Sequence, residues 1–506
     1  MKIASVKIEN FRGYKNEVEI PFDNLTVLVG KNDVGKSTVL EALDIFFNEK
    51  NAVAKAEKDD ICKLSDADSF KVSVVFDDLP AEVIIDDTNK TTLKDEYLLN
   101  KDNKLEIIKQ FPKGNISIYA YHPTNPKCSD LLLKKQKGLR DIVDKEKIDC
   151  NKNFNSEMRK AIWKSCADDI QLQMVEIDAS KEDAKNIYDK LQPYMPLYSL
   201  FQADRKNSDG DSEVQDPLKE AVKQIINDDD IQKKLSEVAE KVQEQLNVVS
   251  KGTLEKLKEM DSSVAESLNP KIPSIKELKW SDVFKSVSIA GDNDIPINKR
   301  GSGVKRLILI NFFRAEAERK ALEKCNKSII YAIEEPETSQ HNENQKILAD
   351  AFKRLAEVMG VQVILTTHSS YFVKQLQAEN LRLIYGKENN EKEVLKVQSG
   401  VLGYPSLNEI NYEAFGDFST EYHDELYAYL QEDKVNRWDK YTATQMTRPY
   451  IQIKKNGQKE NKQITTTEYV RHQIHHPENR ENPPYTPEEL RQSILEMRKF
   501  IENLPK

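Results

Sequence analysis

The chain has 506 residues, 32% of them charged, with a formal net charge of −9 at pH 7. That length provides for two or three domains and a large core, while the acidic balance argues against a broadly basic nucleic-acid scaffold and leaves only local basic patches for such contacts. Five scattered cysteines (Cys62, Cys128, Cys150, Cys166, Cys325) form no Cys-x-x-Cys pair, which argues against a disulfide framework or a cysteine zinc site. No apolar run approaches the ~18 residues of a membrane span, and the N-terminus alternates like a strand rather than forming a signal-peptide core. A soluble cytoplasmic protein without membrane contact is expected.

Residues 1–48 read as two or three strands followed by a glycine turn and a helix. The turn, Gly30-Lys-Asn-Asp-Val-Gly-Lys-Ser-Thr38, follows an apolar run at 25–29 and matches the G-x-x-x-x-G-K-[ST] phosphate loop in its required strand-loop-helix context. Gly30 and Gly35 let several backbone N–H groups point at one anion, and the helix starting near Lys36 aims its positive end there. The spacing assigns Gly30, Asn32, Gly35, Lys36, Ser37 and Thr38 to nucleotide binding, Lys36 on the β/γ-phosphates and Ser37 on Mg²⁺. Strands are predicted at 70–78, 104–111 and 116–121. From about 129 the composition turns to Lys, Glu, Asp and Gln with helical periodicity, most clearly over 216–249, which reads as a helical insertion. Within it, 196–205 reads as a strand leading into a polar loop, and 207–212 has loop composition.

From about 280 the core pattern returns. A strand is expected at 283–289, then Gly301-Ser-Gly-Val-Lys-Arg306 opens a helix over 307–323. A serine-glycine turn at a helix N-terminus is an anion site, and it lies too far along the chain to be a second phosphate loop in cis. Ser328 to Ile333 is an unbroken apolar strand ending at Glu334-Glu-Pro-Glu337, and 362–366 is another, ending at Thr367-His-Ser-Ser370. The first strand end is expected beside the phosphate loop. There Glu334 holds the Mg²⁺ hydration shell and Glu335 orients or deprotonates the attacking water. His368 is expected to place a donor on the γ-phosphate; on its own a histidine there is more often an ordinary edge residue. Buried strands alternating with helices imply a largely parallel sheet covered on both faces.

The phosphate loop, the turn at Gly301, Ser302 and Gly303, the segment Ile333-Glu-Glu-Pro-Glu-Thr338 and Thr366-Thr-His-Ser369 together resemble the ABC-type ATPases of the RecF/SMC/OLD group. The opening Ile3-Ala-Ser-Val-Lys-Ile-Glu-Asn-Phe-Arg-Gly13 is similar to that group's first strand. The Glu-Glu-Pro-Glu variant resembles the OLD-like ATPases of anti-phage defence systems. The resemblance covers about 1–80 and 280–385. It implies an α/β ATPase head of mixed or parallel sheet with flanking helices, and a homodimer or higher oligomer. ATP and Mg²⁺ are sandwiched between 30–38 of one subunit and 301–306 of the other. OLD nucleases continue into a Toprim domain, and residues 385–506 show no Glu plus Asp-x-Asp strand pattern. The chain therefore resembles the ATPase half of a Septu- or PARIS-type system, with a phage-derived trigger and a separate HNH or Toprim nuclease as partner.

The implied layout is 1–128 and 276–405 as the two halves of the ATPase core, 129–275 as the helical insertion and 406–506 as a small, mainly helical tail. In the tail, Thr465-Thr-Thr-Glu468 reads as a capping box opening a helix that ends before Pro477. Arg471-His-Gln-Ile-His-His476 matches the Arg-x4-His pattern of HEPN ribonucleases. Arg471 would then stabilise the phosphate, and His476, or His475 in the alternative register, would act on the RNA 2′-hydroxyl. Metal binding by His472 and His476, one helical turn apart, and plain packing or partner docking are the competing readings. Three functions stay open: an ATPase sensor or scaffold controlling a nuclease, a self-contained ATP-gated ribonuclease, and a RecF/SMC-like DNA-repair ATPase that contacts DNA.

Overall fold

The computed structural model describes residues 1–49, 52–53, 55–84, 89–179, 182–202, 230–238, 240–241, 244, 328–338, 340–386, 391–396, 400–404, 406–432, 436–454 and 457–504. The expected strand at 283–289, the turn at 301–306 with its helix, Cys325, the loop at 207–212 and most of 216–249 lie outside the described residues. The chain divides into a unit of Met1–Ala203 with Glu316–Lys506 and a second unit, Asp204–Ala315, in which 230–238 is helical.

Two six-stranded sheets build the first unit. β1 (Lys2–Glu9), β2 (Val18–Pro21), β4 (Phe70–Asp77), β7 (Leu105–Phe111), β8 (Asn115–Pro123) and β9 (Leu172–Asp178) form one, in the order β2-β1-β4-β7-β8-β9. Every neighbour in it is antiparallel. The other runs β10 (Leu197–Phe201), β11 (Ile329–Glu334), β12 (Val361–Thr367), β3 (Leu25–Val29), β13 (Leu381–Gly386) and β14 (Lys392–Lys396). Its first five strands are parallel and β14 is antiparallel. A two-residue hairpin, β5 (Val83–Ile84) with β6 (Lys90–Thr91), stands apart.

The parallel sheet is the one read from the unbroken apolar runs. All five residues of β3 and all seven of β12 are buried, as strands covered on both faces require. The antiparallel sheet follows from the period-two strands, whose side chains alternate between core and surface along β1 and β8. β9 lies inside the stretch expected to be a helical insertion. It forms the outer edge of this sheet, and its mostly half-exposed side chains explain its weak apolar signal.

Gln362 joins the sheets by replacing a strand's backbone. Its Oε1 accepts from Ile3 N at 2.7 Å and its Nε2 donates to Ile3 O at 2.9 Å. The helix Lys36–Asn48 buries Val39, Leu40, Leu43 and Phe46. Its outer end is held by buried Lys109, which donates to Phe46 O at 2.8 Å and meets Glu49, a cation placed where the helix dipole favours one.

Among the described residues the tail's regular elements are helices and one antiparallel pair, β15 (Thr447–Ile453) with β16 (Lys459–Thr465). Leu402, Tyr422, Leu426, Tyr441, Val470, Ile494 and Met497 form its core. Thr465 and Glu468 make the expected capping box, opening the helix Thr466–His475. Buried Arg498 gathers Tyr422 Oη at 2.5 Å, Glu409 at 3.1 Å and the Tyr412 ring at 4.3 Å. The tail touches the core through buried Asn411, whose Nδ2 donates to Ser370 O at 3.0 Å.

Candidate nucleotide site

The sheet register brings the motif residues to one edge. Thr367 pairs with Val29, the last residue of β3, and Glu334 pairs with Thr366. The phosphate loop, His368 and the two glutamates therefore leave three consecutive strands at the same carboxyl end, where ligands bind in open parallel α/β sheets. The glutamate strand is one step further out than expected, because the His368 strand lies between it and the loop.

The loop is shaped by its glycines. A Cβ on Gly30 would stand 2.4 Å from Ile384 O, so only glycine lets β13 pass there. Gly35, at φ +106°, caps the helix without a side-chain hydrogen bond, leaving its first N–H groups to an anion. Tyr14 Oη braces this turn by donating to Gly35 O at 3.0 Å. Lys36 is buried, and its Nζ donates to Gly30 O at 2.7 Å and Lys31 O at 2.9 Å. Burial pushes its ammonium below the ordinary lysine range, against the pull of Glu335, Glu337, Asp33 and Glu334.

Ser37 Oγ donates to Glu334 Oε1, so the hydroxyl and carboxylate expected at a Mg²⁺ are already in contact. Glu335 sits in left-handed backbone, φ +42°, a conformation a glutamate rarely adopts and one common at functional sites. Its N–H holds it there by donating to Thr366 O and Oγ1, each at 3.1 Å. The turn aims Glu335 Oε1 at His368 Nδ1, 3.1 Å away. Glu337, a residue to which the motif gave no role, closes the cluster. It is 2% exposed, its Oε1 accepts from Thr367 Oγ1 at 2.6 Å and from His368 N at 3.1 Å, and burial raises its pKa. Its Oε2 is buried with no hydrogen-bond partner among the described residues.

Hard oxygen donors at Ser37 and Glu334, N–H groups at the helix start and the Lys36 ammonium fit a Mg²⁺-bound nucleoside triphosphate. Two further groups pack against the phosphate-loop helix through Glu41. Gln202 follows Phe201, which pairs with Ile333, so it lies level with Glu334, and its Nε2 donates to Glu41 at 3.0 Å. Arg12, in left-handed backbone, reaches Glu41 on the phosphate-loop helix and Asp60 at 2.8 Å. Its place just after an apolar strand, at the start of a polar loop, is the sequence signal for Gln202. Gly301, Ser302 and Gly303 lie outside the described residues.

In the tail, Arg471 and His475 converge on one acid. Asp424 accepts from Arg471 at 2.7 Å and meets His475 Nε2 at 3.0 Å, while buried His423 stands 3.8 Å away. Arg471 also covers the Tyr427 ring at 4.4 Å. His476 points elsewhere, to Glu478 at 3.1 Å. Among the described residues no three His, Cys, Asp or Glu side chains are grouped to hold a metal ion. Burial alone would raise the Asp424 carboxyl, but His423, His475 and Arg471 together hold it below the ordinary range. Its stabilisation is therefore present above the unfolded value near 3.9 and is lost as pH falls through the lower folded value. Asp424→Asn is expected to cost the tail about 1 kcal/mol at pH 7, a melting shift of ~2–4 °C, with the deficit shrinking below about pH 4. Thermal unfolding across that pH range checks it.

A strand-loop-helix phosphate cradle facing two strand-end acids and a histidine defines the class, a phosphate-loop ATPase core. The family model described as AAA ATPase domain matches residues 1–373, and the chain belongs to that family. It is 23% identical to the endonuclease GajA of Bacillus cereus (strain VD045) over 399 residues, 76% of this chain and 58% of GajA. It is 38% identical to the DNA replication and repair protein RecF of Rickettsia akari (strain Hartford) over 65 residues, 13% of this chain and 18% of RecF. The chain thus spans little more than half of GajA and under a fifth of RecF. Among solved structures, an SMC head bound to the C-terminal winged-helix domain of ScpA aligns over 78% of this chain and 97% of its own, at 16% identity and a TM-score of 0.38. The SMC head of Thermotoga maritima aligns at 13% identity over 79% of this chain and all of its own, with a TM-score of 0.31. No helix among the described residues is long and apolar enough to cross a membrane.

Proposed function

We propose that this chain hydrolyses ATP at sites shared between two copies and uses the cycle to control a separate nuclease in anti-phage defence. The supporting observation is the convergence of Lys36, Ser37, Glu334, Glu335 and His368 at one sheet edge. Lys36 and the helix N-terminus would hold the phosphates, and Ser37 with Glu334 would hold Mg²⁺, which when bound neutralises charge developing on the phosphates. Glu335 Oε1 takes the proton of the attacking water, and His368, 3.1 Å away, orients that carboxylate and senses the terminal phosphate. Gly301, Ser302 and Gly303 of a second copy complete the pocket.

Among the described residues the tail folds as helices and a hairpin, which supports placing the nuclease outside this tail. We read the tail as a docking module. Arg471 and His475 are engaged by Asp424, which suits a structural tie better than attack on RNA.

Mixing tests the shared site. Lys36→Ala and Ser302→Arg chains are each expected to be inactive, whereas an equimolar mixture regains roughly a quarter of wild-type turnover, because half the dimers are mixed and each carries one intact pocket. A mixture as inert as its parts would overturn the arrangement.

A further inference from the structure

The lobe built on the antiparallel sheet carries a second concave site, away from the sheet edge that holds the phosphate loop. It is a groove of about 530 Å³. Its floor includes the half-buried rings of Tyr97 and Tyr121, with Leu172 from the edge strand β9. Its rim carries Lys94, Lys101, Lys160 and Lys164, all exposed. Asp95 offsets one of them, 3.2 Å from Lys160. Among the described residues the other three meet no carboxylate. A chain of net charge −9 thus presents a compact cationic rim around aromatic faces.

The floor is preorganised. Trp163, buried and donating to Cys128 O at 3.0 Å, packs edge-on against Tyr97 at 5.1 Å and 72°. Tyr121 is held by its backbone N–H on Leu99 O at 2.8 Å, and Lys101 stands 5.6 Å from its ring centre.

The chemistry selects the occupant. Lysine is depleted at protein–protein interfaces, whereas lysine and arginine alike neutralise backbone phosphates. Half-exposed aromatic rings between such cations suit the stacking of unpaired bases, which a duplex cannot offer. We propose that this groove binds single-stranded nucleic acid, with phosphates along the lysine rim and bases on Tyr97 and Tyr121.

Fluorescence anisotropy with the full chain tests this, using labelled 15-mers of thymidine and of uridine, a duplex of equal length and a polyglutamate competitor between 50 and 200 mM salt. Single strands are expected to bind more tightly than the duplex, and affinity falls steeply with salt. Lys101→Glu with Lys164→Glu is expected to weaken binding by tenfold or more, and Tyr121→Ala by about tenfold, while ATP turnover and the melting temperature stay unchanged. The ratio of the two single strands tells DNA from RNA. Unchanged binding in both variants, a preference for duplex, or polyglutamate bound with the same dependence on these residues would each overturn the assignment.

Discussion

Replacing Lys36 with alanine is expected to remove measurable ATP turnover and to raise the Kd for ATP at least 100-fold. The ammonium is buried at the centre of the loop, within reach of the carbonyls of Gly30 and Lys31. A charge-assisted hydrogen bond contributes about 1.5–3 kcal/mol, and a lysine spanning two phosphates makes more than one. At 1.4 kcal/mol per factor of ten, two such bonds exceed two orders of magnitude. The substitution also strips the cation from a neighbourhood of four acids, Glu335, Glu337, Asp33 and Glu334, so the variant repels the triphosphate as well as failing to hold it. Equilibrium binding of a fluorescent ATP analogue, with circular dichroism as the folding control, reads the result. Binding within threefold of wild type would contradict the role given to Lys36.

Glu335→Gln is expected to separate binding from chemistry. The amide retains the shape that meets His368 Nδ1 at 3.1 Å and Thr338 Oγ1 at 3.4 Å, yet it cannot accept a proton from water. Loss of a general base costs about 10²–10⁴ in rate, so turnover should fall at least 100-fold while ATP affinity stays within a few fold. With hydrolysis blocked, ATP should hold two copies together, visible as a dimer in gel filtration that persists only with nucleotide and Mg²⁺. Wild-type turnover in this variant would assign the water-orienting acid elsewhere, with Glu337 the next candidate by position.

Much of this candidate site is legible in the sequence, because its residues sit at strand ends and strand ends are marked. The phosphate loop follows the largely apolar, fully buried strand Leu25–Val29, and Glu334 and His368 stand at the ends of two more such strands. What stayed hidden depends on pairing across the chain. Period-two alternation shows which face of β7 or β8 is buried but not which strand lies beside it, so the separate antiparallel sheet was not anticipated. β9 was obscured by its place at an edge, where Leu172 to Asp178 carry too little apolar surface to stand out from their charged surroundings. Glu337 lies beyond the strand end after Pro336 and has no assigned role in the sequence, and only the fold shows its carboxylate accepting from Thr367 and His368 N. Asp424 lies 47 residues from Arg471, beyond the reach of any local pattern.

The hydrogen bond from Asn411 to Ser370 O joins the tail to the turn that carries His368. Ser369, between them, caps that turn through Phe372 N and is itself tethered to Gln345. A shift of that turn large enough to move Ser370 would strain a bond made by a fully buried amide or pull on the helix Leu407–Phe415. Under the proposed cycle, this bond is the route by which a shift at the nucleotide site would be felt in the tail.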